Sequence, residues 1–175
     1  MKTSTELEKE SVMIAAGHMA AAARTAPKTR GIDNIEVFVI DDEKTKRSLI
    51  YRMTEIAKED KKPSFERDAI SIFDSIALLA IGVKSNPAGL NCGFCGYLSC
   101  DALKMTKGVC GLNSVDLGIA VSSAVSIANQ FHIDNRIMYS IGKAAISLKL
   151  FAPDVNQALV IPLSVTGKNP YFDRK

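Results

Sequence analysis

Apolar side chains recur along the chain at two spacings, and each spacing predicts one type of element. The helical spacing, and the composition of the longer segments, predict helices over residues 6–23, 43–58, 65–75, 114–131 and 135–150. Short runs rich in β-branched and other apolar residues predict strands over residues 35–40, 76–83 and 158–163. Helices and strands alternate, so we expect an α+β fold, an α/β sandwich.

Turn-forming and capping residues set the expected limits of these elements. Pro27 and Gly31 end the first helix. Ser114 or Asp116 is expected to cap the helix predicted over residues 114–131. Residues 91–111 interrupt the pattern between a strand and a helix. We therefore predict one domain over residues 1–175 with an inserted segment at residues 91–111, called here the cysteine segment.

Composition and charge exclude some classes of function. Of the 175 residues, 47% are hydrophobic and 23% are charged, which is ordinary for a globular protein. The net charge of +3 and the absence of Trp do not favour nucleic-acid binding. Residues 1–10 are polar, and the apolar run 117–128 is too short to span a bilayer. We expect a cytoplasmic protein without a membrane partner.

The four cysteines of the chain all lie in the cysteine segment, in the pattern C-x2-C-x4-C-x9-C. Disulfides are disfavoured in the cytosol, so clustered thiols there indicate a metal site. A [4Fe–4S] cluster needs four thiolates, and a four-cysteine zinc ribbon usually carries two C-x2-C pairs, of which this chain has one. The pattern favours iron–sulfur, while zinc and a metal-free thiol cluster stay open. The predicted metal ligands are Cys92, Cys95, Cys100 and Cys110.

Residues between the cysteines suit such a cluster. Gly93 and Gly96 follow the first two cysteines, and glycine permits a positive φ that brings backbone amides close to a ligand. Phe94, Tyr97 and Leu98 are expected to shield the cluster from water.

A second candidate site is the stretch Arg24–Arg30, called here the basic loop. Arg24, Thr25, Lys28 and Arg30 combine cations with a hydroxyl, which is the chemistry that holds a phosphate such as that of FMN. The structural alternative is that the arginines neutralise the end of the first helix or pair with Asp33 or Asp173. Both interpretations stay open on the sequence alone.

The motifs also carry resemblances. The run CGFCGYLSC at residues 92–100 resembles the start of the small iron–sulfur domains of corrinoid iron–sulfur proteins and of electron-transport subunits. Over nearly the whole chain, the sequence resembles an uncharacterised prokaryotic family described as containing a ferredoxin domain. This resemblance rests on the segments ARTAPKTRGID, NCGFCGYLSC, DLGIA, DNR, PLS, GKN and FDR. It implies the cluster and no established activity.

A weaker resemblance links the basic loop and Asp116-Leu117-Gly118-Ile119-Ala120 to the nitroreductase (flavin reductase) fold. That resemblance implies a nitroreductase-like mixed sheet flanked by helices, with FMN held at the basic loop. A lysine replaces the usual serine after Pro27, and the chain is short for that fold.

Together these observations predict an iron–sulfur redox protein that transfers electrons, with FMN as a further cofactor if it acts as an oxidoreductase. The alternatives are a non-enzymatic iron–sulfur sensor or binding module, and a structural four-cysteine zinc protein. The expected partner is a redox protein or a small-molecule substrate. Small residues concentrate in the helix after the cysteine segment, which predicts either a core helix or a homodimer interface.

Overall fold

A four-stranded sheet forms the centre of the molecule. The computed structural model describes residues 1–172, and the strands lie in the order β1-β2-β4-β3. All three neighbouring pairs are antiparallel. The strands are β1 (Ile35–Ile40), β2 (Ala77–Lys84), β3 (Asp134–Asn135) and β4 (Val155–Ser164).

Helices cover both faces of the sheet. They are α1 (Ser4–Thr25), α2 (Glu43–Glu59), α3 (Pro63–Ser71), α4 (Cys100–Met105), α5 (Gly111–Gln130) and α6 (Tyr139–Ser147). Two 3₁₀ turns, Thr29–Gly31 and Pro170–Phe172, complete the described elements.

The alternation of side chains along β2 divides the core into two parts. Leu79 and Ile81 point into a cluster formed with α1 and α5, while Leu78 and Ala80 point into a cluster formed with α2, α3 and α6. Because β2 is buried on both faces, its sequence is a continuous apolar run instead of an alternating one. The α+β sandwich of the prediction is confirmed.

Local capping chemistry explains where two of the helices begin. Thr3 and Glu6 form a reciprocal capping box at the start of α1. The carboxylate of Asp42 accepts a hydrogen bond of 2.8 Å from the backbone N–H of Thr45 at the start of α2. The strand at residues 35–40 and the first two helices therefore lie within two residues of their predicted limits.

Several predicted elements differ from the structure. Residues 134–135 do not start a helix, because they pair with Leu163 and Ser164 of β4 as a short edge strand. The helix predicted over residues 65–75 ends at Ser71, and α4 had no predicted counterpart. The sheet is antiparallel among the described residues, where a mixed sheet was expected. Local patterns do not predict strand direction, because each strand pairs with a segment that is distant in sequence.

Of the helices within residues 1–172, α5 alone has the length and apolar composition of a membrane span. It is longer than the apolar run considered in the sequence, since it includes the polar turn that starts at Gly111. Leu117, Ala120, Val121 and Ala124 on α5 are buried in the cluster shared with α1 and the sheet. This packing is that of a core helix.

Candidate functional site: the cysteine pocket and the basic loop

The four cysteines line one pocket at the end of β2. Cys92 and Cys95 lie in the loop after β2, Cys100 is the first residue of α4, and Cys110 directly precedes α5. Their burial is graded from the exposed Cys92 to the buried Cys110. Four thiols spread over the nineteen residues from Cys92 to Cys110 therefore line the same pocket.

Short-range hydrogen bonds shape the loop that carries the first two thiols. The φ angles of Gly93 and Gly96 are 70° and 83°, in the left-handed region, and the N–H of Gly96 donates to the carbonyl of Gly93 at 2.8 Å. This closes a tight turn around Cys95, as the glycine pattern predicted. The side chain of Asn91 accepts a hydrogen bond of 2.8 Å from the N–H of Cys100, which links the two ends of this loop.

The inner wall of the pocket is a small apolar cluster. Ala88, Leu103 and Cys110 are buried there, with Tyr97 packed beside them. A Cβ on Gly108 would lie 2.5 Å from the Cδ1 atom of Leu103, so a larger residue there would require the Leu103 side chain to shift. Leu98, expected to shield a cluster, is 96% exposed and is not among the residues that line the pocket.

The size of the pocket and its donor groups show how well the thiols fit a metal. Its enclosed space is about 10 Å³, which holds about one water molecule. Among residues 1–172, no three His, Cys, Asp or Glu side chains are arranged as a ready metal site. The donor chemistry fits an iron–sulfur cluster or zinc, and the loop between Ala88 and Ser99 would have to widen around either. The four-cysteine ligand set therefore stays a prediction.

The basic loop makes bonds within the chain. Arg24 and Thr25 belong to the last turn of α1, where Arg24 forms a partly exposed ion pair with Asp33 and also donates to the carbonyl of Ile35. The hydroxyl of Thr25 donates to the carbonyl of Ala21 at 2.9 Å. These contacts match the structural alternative for Arg24, and Asp173, its other proposed partner, lies outside the described residues.

Lys28 closes the end of the first helix. Its ammonium group donates to the carbonyls of Arg24 and Ala26 at 2.5 and 2.8 Å. A cation at this position stabilises the partial negative charge of a helix C-terminus. A phosphate at the basic loop would have to draw Lys28 away from these carbonyls, so the FMN role of the loop stays a prediction.

Thr29 and Arg30 reach across the molecule to both ends of the cysteine segment. The N–H and hydroxyl of Thr29 donate to the carboxylate of Asp116 on α5, at 3.0 and 2.9 Å to one oxygen. Arg30 has a left-handed backbone with a φ of 57°, and its guanidinium donates to the carbonyl of Ala88 at 2.8 Å. The basic loop and the cysteine pocket are thus directly connected.

Asp116 was assigned the wrong role from the sequence. Helix α5 begins at Gly111, so neither Ser114 nor Asp116 caps it. The Asp116 side chain lies inside the helix, 4% exposed, and its hydrogen-bond donors come from a residue 87 positions earlier. A signal was present, since Asp116 is the only charged residue in the whole of α5.

Comparisons with solved structures show the fold. A nitroreductase with bound FMN from Desulfitobacterium hafniense superposes with a TM-score of 0.61 at 15% identity, covering 99% of this chain and 85% of that one. A nitroreductase family protein from Clostridium novyi has a TM-score of 0.62 at 14% identity, covering 87% of this chain and 73% of that one. The fold is therefore nitroreductase-like.

Comparisons of sequence identify the family. An uncharacterized protein from Archaeoglobus fulgidus is 43% identical over 178 residues, which cover 97% of this chain and 95% of the relative. The family model described as "Uncharacterized protein containing a ferredoxin domain (DUF2148)" matches residues 106–174, a range that includes Cys110 and lies beyond the other three cysteines. The chain belongs to this family of proteins that contain a ferredoxin domain.

Proposed function

We propose that this protein is an iron–sulfur redox protein that binds one [4Fe–4S] cluster through Cys92, Cys95, Cys100 and Cys110. The observation that carries the proposal is the gathering of all four thiols of the chain on one pocket. The family description, with its ferredoxin domain, supports it. When bound, such a cluster accepts and donates single electrons.

The chain's own residues would serve this cofactor in distinct ways. Gly93 and Gly96 adopt left-handed φ angles that allow the backbone to turn tightly around Cys95. Cys92 lies at the solvent side of the pocket and Cys110 at the buried side. We propose that residues 91–111 form the cluster-binding segment of a single domain over residues 1–175.

An anaerobic preparation tests this proposal directly. We expect about four iron and four sulfide per chain, and broad absorption near about 400 nm that bleaches with dithionite, as for other [4Fe–4S] proteins. Cys110→Ser should remove most of this absorption. Ser71→Ala, which removes a hydroxyl on α3 far from the pocket, should not. A colourless protein with one zinc per chain would refute the redox proposal and support the structural zinc alternative.

FMN is the second cofactor that we propose, because the fold is nitroreductase-like and a solved structural neighbour carries FMN. The flavin would exchange two electrons as hydride, and the cluster would pass them on singly. The residues proposed to hold its phosphate are Arg24, Thr25, Lys28 and Arg30. This arrangement would make the protein a flavin-dependent oxidoreductase whose partner is a redox protein or a small molecule.

Flavin content distinguishes this second proposal from the structural role of the basic loop. The Arg24→Ala, Lys28→Ala double variant should lose bound flavin, measured by absorption near about 450 nm after denaturation. Lys58→Ala, which removes an exposed lysine on α2, is the matched control. Equal flavin content in the double variant and the control would refute a phosphate site at these residues.

We also propose that the protein is a cytoplasmic homodimer that pairs through the outer face of α5. This apolar helix exposes Val115, Gly118 and Ser122 to solvent. Close approach of a second helix needs small residues of this kind. Sedimentation velocity should give a dimer, and Ser122→Arg should convert it to a monomer; a wild-type monomer would refute this pairing.

A further inference from the structure

Two adjacent residues of the basic loop contact opposite ends of the cysteine segment. Thr29 is bound to Asp116 on α5, six residues after Cys110, and Arg30 is bound to the carbonyl of Ala88, four residues before Cys92. These contacts join segments 87 and 58 residues apart along the chain. We call Thr29, Arg30, Ala88 and Asp116 the loop clamp.

The Ala88 end of the clamp is fitted closely. Gly89 has a φ of 72°, and a Cβ at this position would lie 3.2 Å from the terminal nitrogen of Arg30. The arginine therefore lies against the backbone at the entrance to the cysteine segment. Ala88 itself is 4% exposed and lines the same pocket as the four thiols.

The Asp116 end of the clamp is buried and charged. The carboxylate of Asp116 accepts hydrogen bonds from both the N–H and the hydroxyl of Thr29. Bonds of this kind to an ionised acceptor are about twice as strong as neutral ones. They hold the first turns of α5, and with them Cys110, at a set position relative to the basic loop.

Further polar side chains hold the stretch before Ala88. The amide of Asn113, on the first turn of α5, donates to the carbonyls of Lys84 and Asn86 at 3.0 and 2.8 Å. Asn34 donates to the same Asn86 carbonyl at 3.2 Å. This stretch is therefore anchored as far as Asn86, and Arg30 adds a hydrogen bond two residues further on, at Ala88.

We infer that Arg30 and Asp116 are positioning residues that keep the two ends of the cysteine segment at the separation its ligands require. The inference rests on the proposed cluster and gives Arg30 a role in addition to the phosphate contact proposed for it. The loop from Ala88 to Ser99 must widen around a cluster while its ends stay in place. Residues that hold the ends without touching the thiols meet that requirement.

Arg30→Gly is the informative variant. Glycine prefers the left-handed backbone that Arg30 adopts, so the side chain is removed without backbone strain. Lys61→Gly is the matched control, because Lys61 is also an exposed cation with a positive φ of 53°, in the connection between α2 and α3. Both variants change the charge and the backbone preference in the same way.

The first measurement is the rate at which an iron chelator removes the cluster. Loss of a hydrogen bond from a charged donor should raise this rate roughly tenfold in Arg30→Gly, with wild-type behaviour in Lys61→Gly. Arg30→Lys, which keeps one charged donor, should recover part of the loss. If the wild type binds the cluster and Arg30→Gly releases it at the same rate as the wild type, the inference is overturned and the proposed function is left intact.

The second measurement does not depend on the cluster. Without metal, amide hydrogen exchange over residues 87–99 should be faster in Arg30→Gly than in the wild type and in Lys61→Gly. Equal exchange in all three proteins would overturn the inference. A wild type that takes up neither iron nor sulfide would refute the proposed function, and the exchange result would still decide the role of Arg30.

Discussion

The contact between α6 and β4 allows one change to be predicted in detail. Gly142 lies where α6 crosses β4, and a Cβ built on it would lie 2.0 Å from the carbonyl oxygen of Ala158 and 2.6 Å from its carbonyl carbon. Both atoms belong to the backbone of a paired strand, so neither can rotate away. Gly142→Ala must therefore push the helix and the strand apart.

The size of the effect follows from this distance. Ordinary contact begins near 3.4 Å, so α6 has to move outward by about 1.4 Å at this point. The movement would loosen the packing of Ile141, Ala144 and Ala145, which are fully buried on the same helix. Overpacking of this kind costs about 3 kcal/mol, and the higher helix propensity of alanine returns about 1 kcal/mol. We expect the variant to be about 2 kcal/mol less stable.

Gly17→Ala is the matched control. Gly17 lies in the interior of α1, and its Cβ would meet no atom within 4 Å. The same substitution should therefore stabilise the protein by about 0.5–1 kcal/mol through helix propensity alone. The two variants thus differ only in whether the new methyl group meets the strand.

Urea unfolding followed by circular dichroism measures both changes. The midpoint should fall for Gly142→Ala and rise for Gly17→Ala, and the melting temperature of Gly142→Ala should drop by roughly 4–8 °C. If Gly142→Ala were as stable as Gly17→Ala, the close approach of α6 to β4 described here would be incorrect.

Three further predictions concern single side chains. Ser140→Ala removes a buried hydrogen bond of 2.7 Å to Asp68 and should cost about 2 kcal/mol in urea unfolding. Asp42→Ala should lower the melting temperature at neutral pH; because a hydrogen bond from Thr45 lowers the pKa of Asp42, this difference should vanish as the pH falls through that lowered pKa. Burial raises the pKa of Tyr171, so its contribution to stability is complete below about pH 10 and is lost as the pH rises through the higher folded pKa. The Tyr171 hydroxyl also shares a buried hydrogen bond of 3.0 Å with Ser75, so Tyr171→Phe should be about 1 kcal/mol less stable than the wild type at neutral pH, and the gap should narrow in alkaline urea titrations; a constant gap would contradict this assignment.

The sequence was a good guide where structure depends on near neighbours. The helical spacing of apolar residues located α1 and α2, and the run of β-branched residues located β1 to the residue. The glycines after Cys92 and Cys95 adopt the positive φ angles that their positions suggested. Each of these features is set within a few residues, because helix periodicity, caps and turns are local.

The role of each polar side chain depended on partners that are distant in sequence. Asp116 precedes an apolar stretch, which is typical of a cap, yet it binds Thr29 because the first helix packs beside α5. Arg30 resembles part of a phosphate site, yet its guanidinium binds the carbonyl of Ala88. No local pattern records such pairs, since their members meet only after the sheet has formed.

The difference between what the local sequence and what the tertiary structure determine is clearest at the cysteines. The sequence alone determined that this chain carries one four-thiol segment, and its glycines determined the turn around Cys95. Only the tertiary structure decided what holds that segment, because the segment joins the loop after β2 to the start of α5, and β2 and α5 pack together through the core. The local sequence supplied the four cysteines, and long-range packing placed the basic loop against residues that flank the segment on both sides.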